Sequence, residues 1–173
     1  MTSLEVRTPT TVPCAGGALT FEPNGNVAMS GQGGAPQRSA LVPDLALSNY
    51  VELWCGDDYA YFVGLEGRAA WFARPALGEL TEVLKLDRLD LSGHYDPGGL
   101  RGVQFRELPD GDVLIVYELG IARVRPDGNV RWHHSHDDLT AHIDRIADGI
   151  VWWRGESQEF GYALTDGRPV TPS

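Results

Sequence analysis

The chain has 173 residues, enough for one domain with a core of its own, and its 42% hydrophobic and 22% charged content is that of a globular protein. Fourteen basic against twenty-four acidic residues leave a net charge of -10, which argues against direct binding to nucleic-acid phosphate or anionic membranes and favours a basic protein partner. No apolar stretch approaches the length of a membrane span, and Met1–Arg7 lacks the charged and apolar segments of a signal peptide, so a cytoplasmic chain is expected.

Taken in order, Leu4–Arg7, Ala18–Glu22 and Val27–Ser30 read as short strands, with Pro23-Asn24-Gly25-Asn26 as a hairpin turn. Gly31–Gln37 is a glycine-rich loop without the Gly-Lys-Ser/Thr of a phosphate loop. Val51–Cys55, Tyr59–Val63 and Ala69–Ala73 follow as strands around Gly56-Asp57-Asp58 and Glu66-Gly67. Thr81–Leu86 suits a strand or a short helical turn, and Asp87–Gly99 a loop. Ser135–Arg145 carries one turn of helical spacing through Leu139, Ile143 and Ile146.

One phrase near the C-terminus is repeated. Leu108–Asp112, Val113–Tyr117, Gly120–Val124 and Asp127–Trp132 give turn, strand, strand, turn, strand. The order returns at Ala147–Gly149, Ile150–Trp153, Tyr162–Leu164 and Asp166–Val170, with 38 positions between Asp110 and Asp148. A degenerate third copy occupies residues 50–73. Repeats of this length built from short strands indicate stacked β-sheet blades. The expected fold is therefore a single all-β domain over 1–173. Residues 1–49 form an N-terminal β segment and Gly-rich loop, and 50–173 form blade-like repeats of antiparallel sheet in an incomplete ring or sandwich.

Gly128-Asn129-Val130-Arg131-Trp132, a Gly-x-x-x-Trp after a strand, resembles the repeat of quinoprotein-type (PQQ-like) β-propeller blades over residues 108–170. The resemblance implies that Asp127 and Gly128 form a turn and that Trp132 docks between neighbouring blades. The later copy departs from it, with Val170 in place of the tryptophan. Such propellers close rings of six to eight blades, whereas this length allows three or four, so no quinone or other cofactor is expected.

Site candidates are few. His133, His134, His136 and His142 are the densest set of ligand-type side chains, a candidate metal group without a defined motif. Asp57, Asp58, Asp110 and Asp112 sit in turn phrases, where Asp caps its own backbone, and Glu118 suits a hairpin. Cys14 and Cys55 match no metal spacing and read as two buried thiols in a reduced compartment, with a disulfide as the alternative. No Gly-x-Ser-x-Gly elbow is present, and no catalytic residue is assigned. In Trp71-Phe72 and Trp152-Trp153, adjacent rings must point to opposite faces of a sheet, so one of each pair is available to a second layer or a ligand.

The leading reading is a non-enzymatic, cytoplasmic protein-binding module, in one version an immunity or antitoxin-type protein, engaging a basic partner through Trp71, Trp152, Trp153, Asp137 and Asp138. A second copy bound at an open sheet edge is a further possibility. The alternatives are a small metal-dependent enzyme using the histidines and a carbohydrate-binding module using exposed tryptophans.

Overall fold

The computed structural model describes residues 2–31, 36–45, 50–64, 69–86, 103–117, 119–136, 141–156 and 158–172. The expected loop 87–99, Glu118, Leu139, Asp137 and Asp138 lie outside these. Among the described residues the regular structure is β-strand with two short 3-10 turns, and it forms four antiparallel sheets.

After β1 (Thr2–Glu5), blade 1 is the meander β2 (Thr10–Cys14), β3 (Gly17–Phe21), β4 (Asn26–Ser30) and β5 (Pro36–Leu41). Blade 2 follows with β6 (Tyr50–Cys55), β7 (Ala60–Gly64), β8 (Ala69–Arg74) and β9 (Glu79–Lys85), and β1 adds a fifth strand along β6. Blade 3 comprises β10 (Gln104–Glu107), β11 (Val113–Tyr117), β12 (Gly120–Val124) and β13 (Val130–Ser135). Blade 4 comprises β14 (His142–Ala147), β15 (Ile150–Arg154), β16 (Glu159–Ala163) and β17 (Pro169–Val170).

One turn chemistry builds three of the hairpins. Glu22–Asn26, Leu108–Asp112 and Arg125–Asn129 share the pattern x-Pro-Asx-Gly-Asx, and each closes with the same pair of backbone bonds, such as Gly111 N to Leu108 O at 2.9 Å and Leu108 N to Asp112 O at 2.8 Å. Proline sets the first turn angle, the Asx side chain accepts from the amide two residues on, and glycine takes the left-handed position.

Three apolar cores join the blades in chain order. Leu19, Phe21, Val27 and Met29 of blade 1 meet Leu53, Phe62 and Ala73 of blade 2, with Phe21 edge-on to Phe62 at 5.2 Å. Tyr61, Val63, Ala70 and Phe72 meet Val113, Ile115, Tyr117 and Val124. Leu114, Val116, Ile121 and Trp132 meet Val151, Trp153 and Tyr162. Strands β7, β11 and β12 lie between two such cores and are buried along their whole length, which is why they read as unbroken apolar runs. Among the described residues no core joins blade 4 to blade 1.

Both open faces are polar. Blade 1 turns Thr11, Thr20, Ala18, Ala28 and Ser30 outward, with the Thr11 and Thr20 hydroxyls bonded at 2.8 Å. At the places where blade 3 shows blade 4 Leu114, Val116, Ile121 and Trp132, blade 4 turns out Trp152, Arg154, Glu159 and Val170.

The expected helical turn at 135–145 is corrected at its described ends, while 137–140 lie outside the described residues. β13 runs through Ser135 and β14 starts at His142. A bulge between Ile143 and Arg145 lets Ile143 pair with Trp153 and Ile146 with Val151, so two isoleucines three positions apart share one sheet face. The bulge imitates helical spacing. Residues 79–85 resolve as strand β9 rather than a helical turn.

Candidate functional site

In each meander the turns after the first and third strands lie at the same rim, and neighbouring blades are tied together there. Cys14 ends β2 and Cys55 ends β6, the same place in successive blades, and they form a disulfide with Cα atoms 5.6 Å apart. This corrects the expectation of two free thiols. Both strands are the first of their blades and stop at a glycine-containing turn, which aims the two Cβ atoms at each other across the joint. A groove of about 660 Å³ opens beside the bond, lined mainly by glycine and alanine, with Asp57 at one side.

Between blades 2 and 3, Tyr59 Oη donates to Gly111 O at 2.7 Å, Arg74 Nη2 donates to Pro126 O at 3.1 Å, and Tyr61 Oη donates to Arg125 O. Burial, then the nearby Glu107, Asp112 and Asp57 carboxylates, raise the Tyr59 phenol above its ordinary pKa. Tyr61 is raised further, chiefly by burial.

Blade 3 holds a buried ionic network at this rim. Asp112 is 1% exposed and Arg123 6% exposed. Arg123 Nε donates to Asp112 Oδ2 at 2.6 Å, its Nη2 to Asp110, and its Nη1 to Leu164 O of blade 4, while Arg131 also donates to Asp112. Trp132 Nε1 donates to the same Leu164 oxygen at 3.0 Å. These groups are occupied in fixing the joint of blades 3 and 4. The rim presents seven exposed carboxylates, Asp57, Asp58, Glu107, Asp110, Asp127, Asp148 and Asp166, with the exposed arginines Arg106, Arg125 and Arg168 among them, so acidic groups are in excess there. Asp127 and Asp166 are oriented by accepting from the backbone amides of Asn129 and Arg168, each at 3.0 Å. Those backbone and side-chain bonds from Asn129 hold Asp127 below its ordinary pKa.

The sequence-derived candidates fall in different places. Trp153 is 1% exposed in the blade 3–4 core, and Trp71 is half-buried against the blade 1–2 core. Trp152 is on the outer face of blade 4, where one side of its ring lies against Gly161 and Arg145 stacks over the ring at 5.1 Å from its centroid. Arg145 is itself bonded to Asp144 and Glu159, each at 2.6 Å. The ring is therefore covered, which leaves little platform for a sugar.

The histidines are dispersed by strand alternation. His133 bonds Tyr117 Oη, His134 stacks on Tyr162 at 4.6 Å, and His136 meets Trp153 edge-on at 4.9 Å. His142 is exposed on β14. Among the described residues no three His, Cys, Asp or Glu side chains converge for a metal.

Sequence reasoning ranked the disulfide second and missed the Arg123 network. Both left signals: each cysteine precedes a glycine turn at the end of a blade's first strand, and Arg123 is the one charge in the apolar run Gly120–Val124.

No protein-family model and no characterised protein matches the chain. Solved structures resemble it at low identity. The extracellular domain of BT4673 from B. thetaiotaomicron is 11% identical with a TM-score of 0.48, the match covering 99% of this chain and 25% of that one. Hsv2 of Kluyveromyces lactis is 14% identical with a TM-score of 0.42, covering 90% and 46%. BamB from Moraxella catarrhalis, a β-propeller protein, is 14% identical with a TM-score of 0.34, covering 98% and 65%. The chain thus spans about a quarter of the BT4673 domain and under half of Hsv2. The cytoplasmic expectation is corrected by the disulfide, since such bonds persist where thiols are oxidised. The chain is an all-β protein of blade-like antiparallel sheets with propeller-like neighbours.

Proposed function

We propose that this chain is a non-enzymatic protein-binding module whose acidic turn rim docks a basic protein in an oxidising compartment. The observation that carries the reading is the set of seven exposed carboxylates that the turns and strand ends of blades 2, 3 and 4 bring to one rim. The blades beneath are rigidly joined, so these charges are held in a fixed array. An excess of one sign on a surface speeds encounter with an oppositely charged partner and biases its orientation. The disulfide supports the compartment, because such bonds persist where thiols are oxidised. Occlusion of a basic toxin's active site is one form this binding can take. The docked position of Trp132 favours a quinoprotein-type repeat as the blade pattern, used here without its cofactor.

The test is affinity capture from the native host with wild-type protein and with the variant Asp57→Asn, Asp58→Asn, Glu107→Gln, Asp148→Asn. None of the four carboxylates takes part in the buried network, so the variant retains the fold. Recovery of one basic protein by the wild type, lost with the variant and at high salt, supports the reading. Equal recovery by both, or none by either, overturns it.

A further inference from the structure

The groove beside Cys14–Cys55 gives that bond a second significance. We propose that it is a thiol-exchange site at which a dithiol reductant opens the joint between blades 1 and 2. The groove is lined by both cysteines, by Ala15, Gly16, Gly17, Gly31 and Gly56, and at one side by Asp57, so among the described residues no long side chain shields the sulfurs from an incoming thiol. Cys55 is exposed whereas Cys14 is 6% exposed, which directs attack to Cys55 Sγ.

The incoming thiolate forms a bond to Cys55 Sγ, the Cys14–Cys55 bond breaks, and the electron pair leaves on Cys14 Sγ, which takes a proton. The second thiolate of the reductant then attacks its own sulfur in the mixed disulfide and releases Cys55, which is protonated in turn. The protein gains two electrons and two protons, and the dithiol becomes a disulfide.

The joint is placed to respond. Among the described residues, the side-chain hydrogen bond between blades 1 and 2 is Arg38 Nη1 to Gly78 O at 3.3 Å. Blades 2 and 3 share those of Tyr59, Tyr61 and Arg74, and blades 3 and 4 those of Arg123 and Trp132. Among the described residues the covalent bond thus stands where side-chain hydrogen bonds between blades are fewest, and cutting it loosens blade 1 while blades 2 to 4 hold.

The experiment treats the folded protein with dithiothreitol in native buffer, counts thiols by maleimide mass tagging, and follows limited proteolysis. Two thiols per chain are expected while most of the tryptophan signal stays native, since Trp54, Trp132, Trp152 and Trp153 lie outside the blade 1–2 core and Trp71 alone among the five packs against it. Cleavage within residues 10–41 should accelerate about tenfold, as local opening of one unit allows. The double variant Cys14→Ser, Cys55→Ser should show the same cleavage pattern without reductant. Thiols that appear only at denaturing urea concentrations overturn the proposal, as does blade 1 resistance unchanged by reduction, or fluorescence lost in step with thiol release.

Discussion

Gly167 offers a direct measure of what docking one blade on the next contributes. Its φ is +73°, and a Cβ there would lie 2.8 Å from Trp132 Cγ and 2.9 Å from His134 Nε2. Gly149 has the same φ of +73°, but nothing lies within 4 Å of the corresponding point. Alanine at either position carries the cost of a left-handed conformation, about 1 kcal/mol. At Gly167 it also drives a methyl into an indole already fixed by its bond to Leu164, an overpacking cost of about 2 kcal/mol more. Gly149→Ala should therefore lower stability by about 1 kcal/mol and Tm by about 3 °C, and Gly167→Ala by about 3 kcal/mol and about 9 °C. Urea unfolding followed by tryptophan fluorescence, with thermal scans beside it, reads both. Equal losses for the two variants would refute the reasoning, because the difference between them is the docking contact alone.

Three further outcomes follow from the joints. Replacing both cysteines by serine removes a cross-link with a sequence separation of 41, and loop-closure entropy puts the loss at about 4 kcal/mol in equilibrium unfolding. Arg123→Met leaves the buried Asp112 with Arg131 alone and should cost about 3–5 kcal/mol, part of it recovered in the double variant with Asp112→Asn; a cost under about 1 kcal/mol would mean water reaches the network. Tyr59, Tyr61 and Tyr162 all have folded pKa values raised above 10, so the folded state holds their protons more tightly than the unfolded chain does. Their contribution is fully present below pH 10 and is lost as pH rises from there toward the folded values. Tyr61→Phe should flatten that alkaline decline in a pH series of urea midpoints, and an unchanged slope would assign it elsewhere.

Much of the blade architecture was legible because turns here are chemically explicit. The phrases at Leu108–Asp112 and Arg125–Asn129 announce hairpins, and the buried strands between them announce a layer on each side. The first blade was harder to see. Its Pro-Asn-Gly-Asn turn joins β3 to β4, a different junction from those in blade 3, so the repeat phase does not carry over. The bulge at Asp144 misled for a related reason, since one inserted residue changes a period of two into a spacing of three. The site was less legible still. Pairing of Cys14 with Cys55 depends on two strands from different blades ending side by side, and strand alternation sends His133 and His134 to opposite faces of a single sheet.

The outward faces of blades 1 and 4 bear on self-association. A blade offers its neighbours two different faces, so an apolar pair of ends would join head to tail, copy after copy, into a filament. Arg154 and Glu159 occupy the places where blade 3 has Val116 and Ile121, and the threonines of blade 1 do the same at the other end. These side chains put charge and hydroxyl groups where an end-to-end contact between copies would form, and so disfavour filament growth.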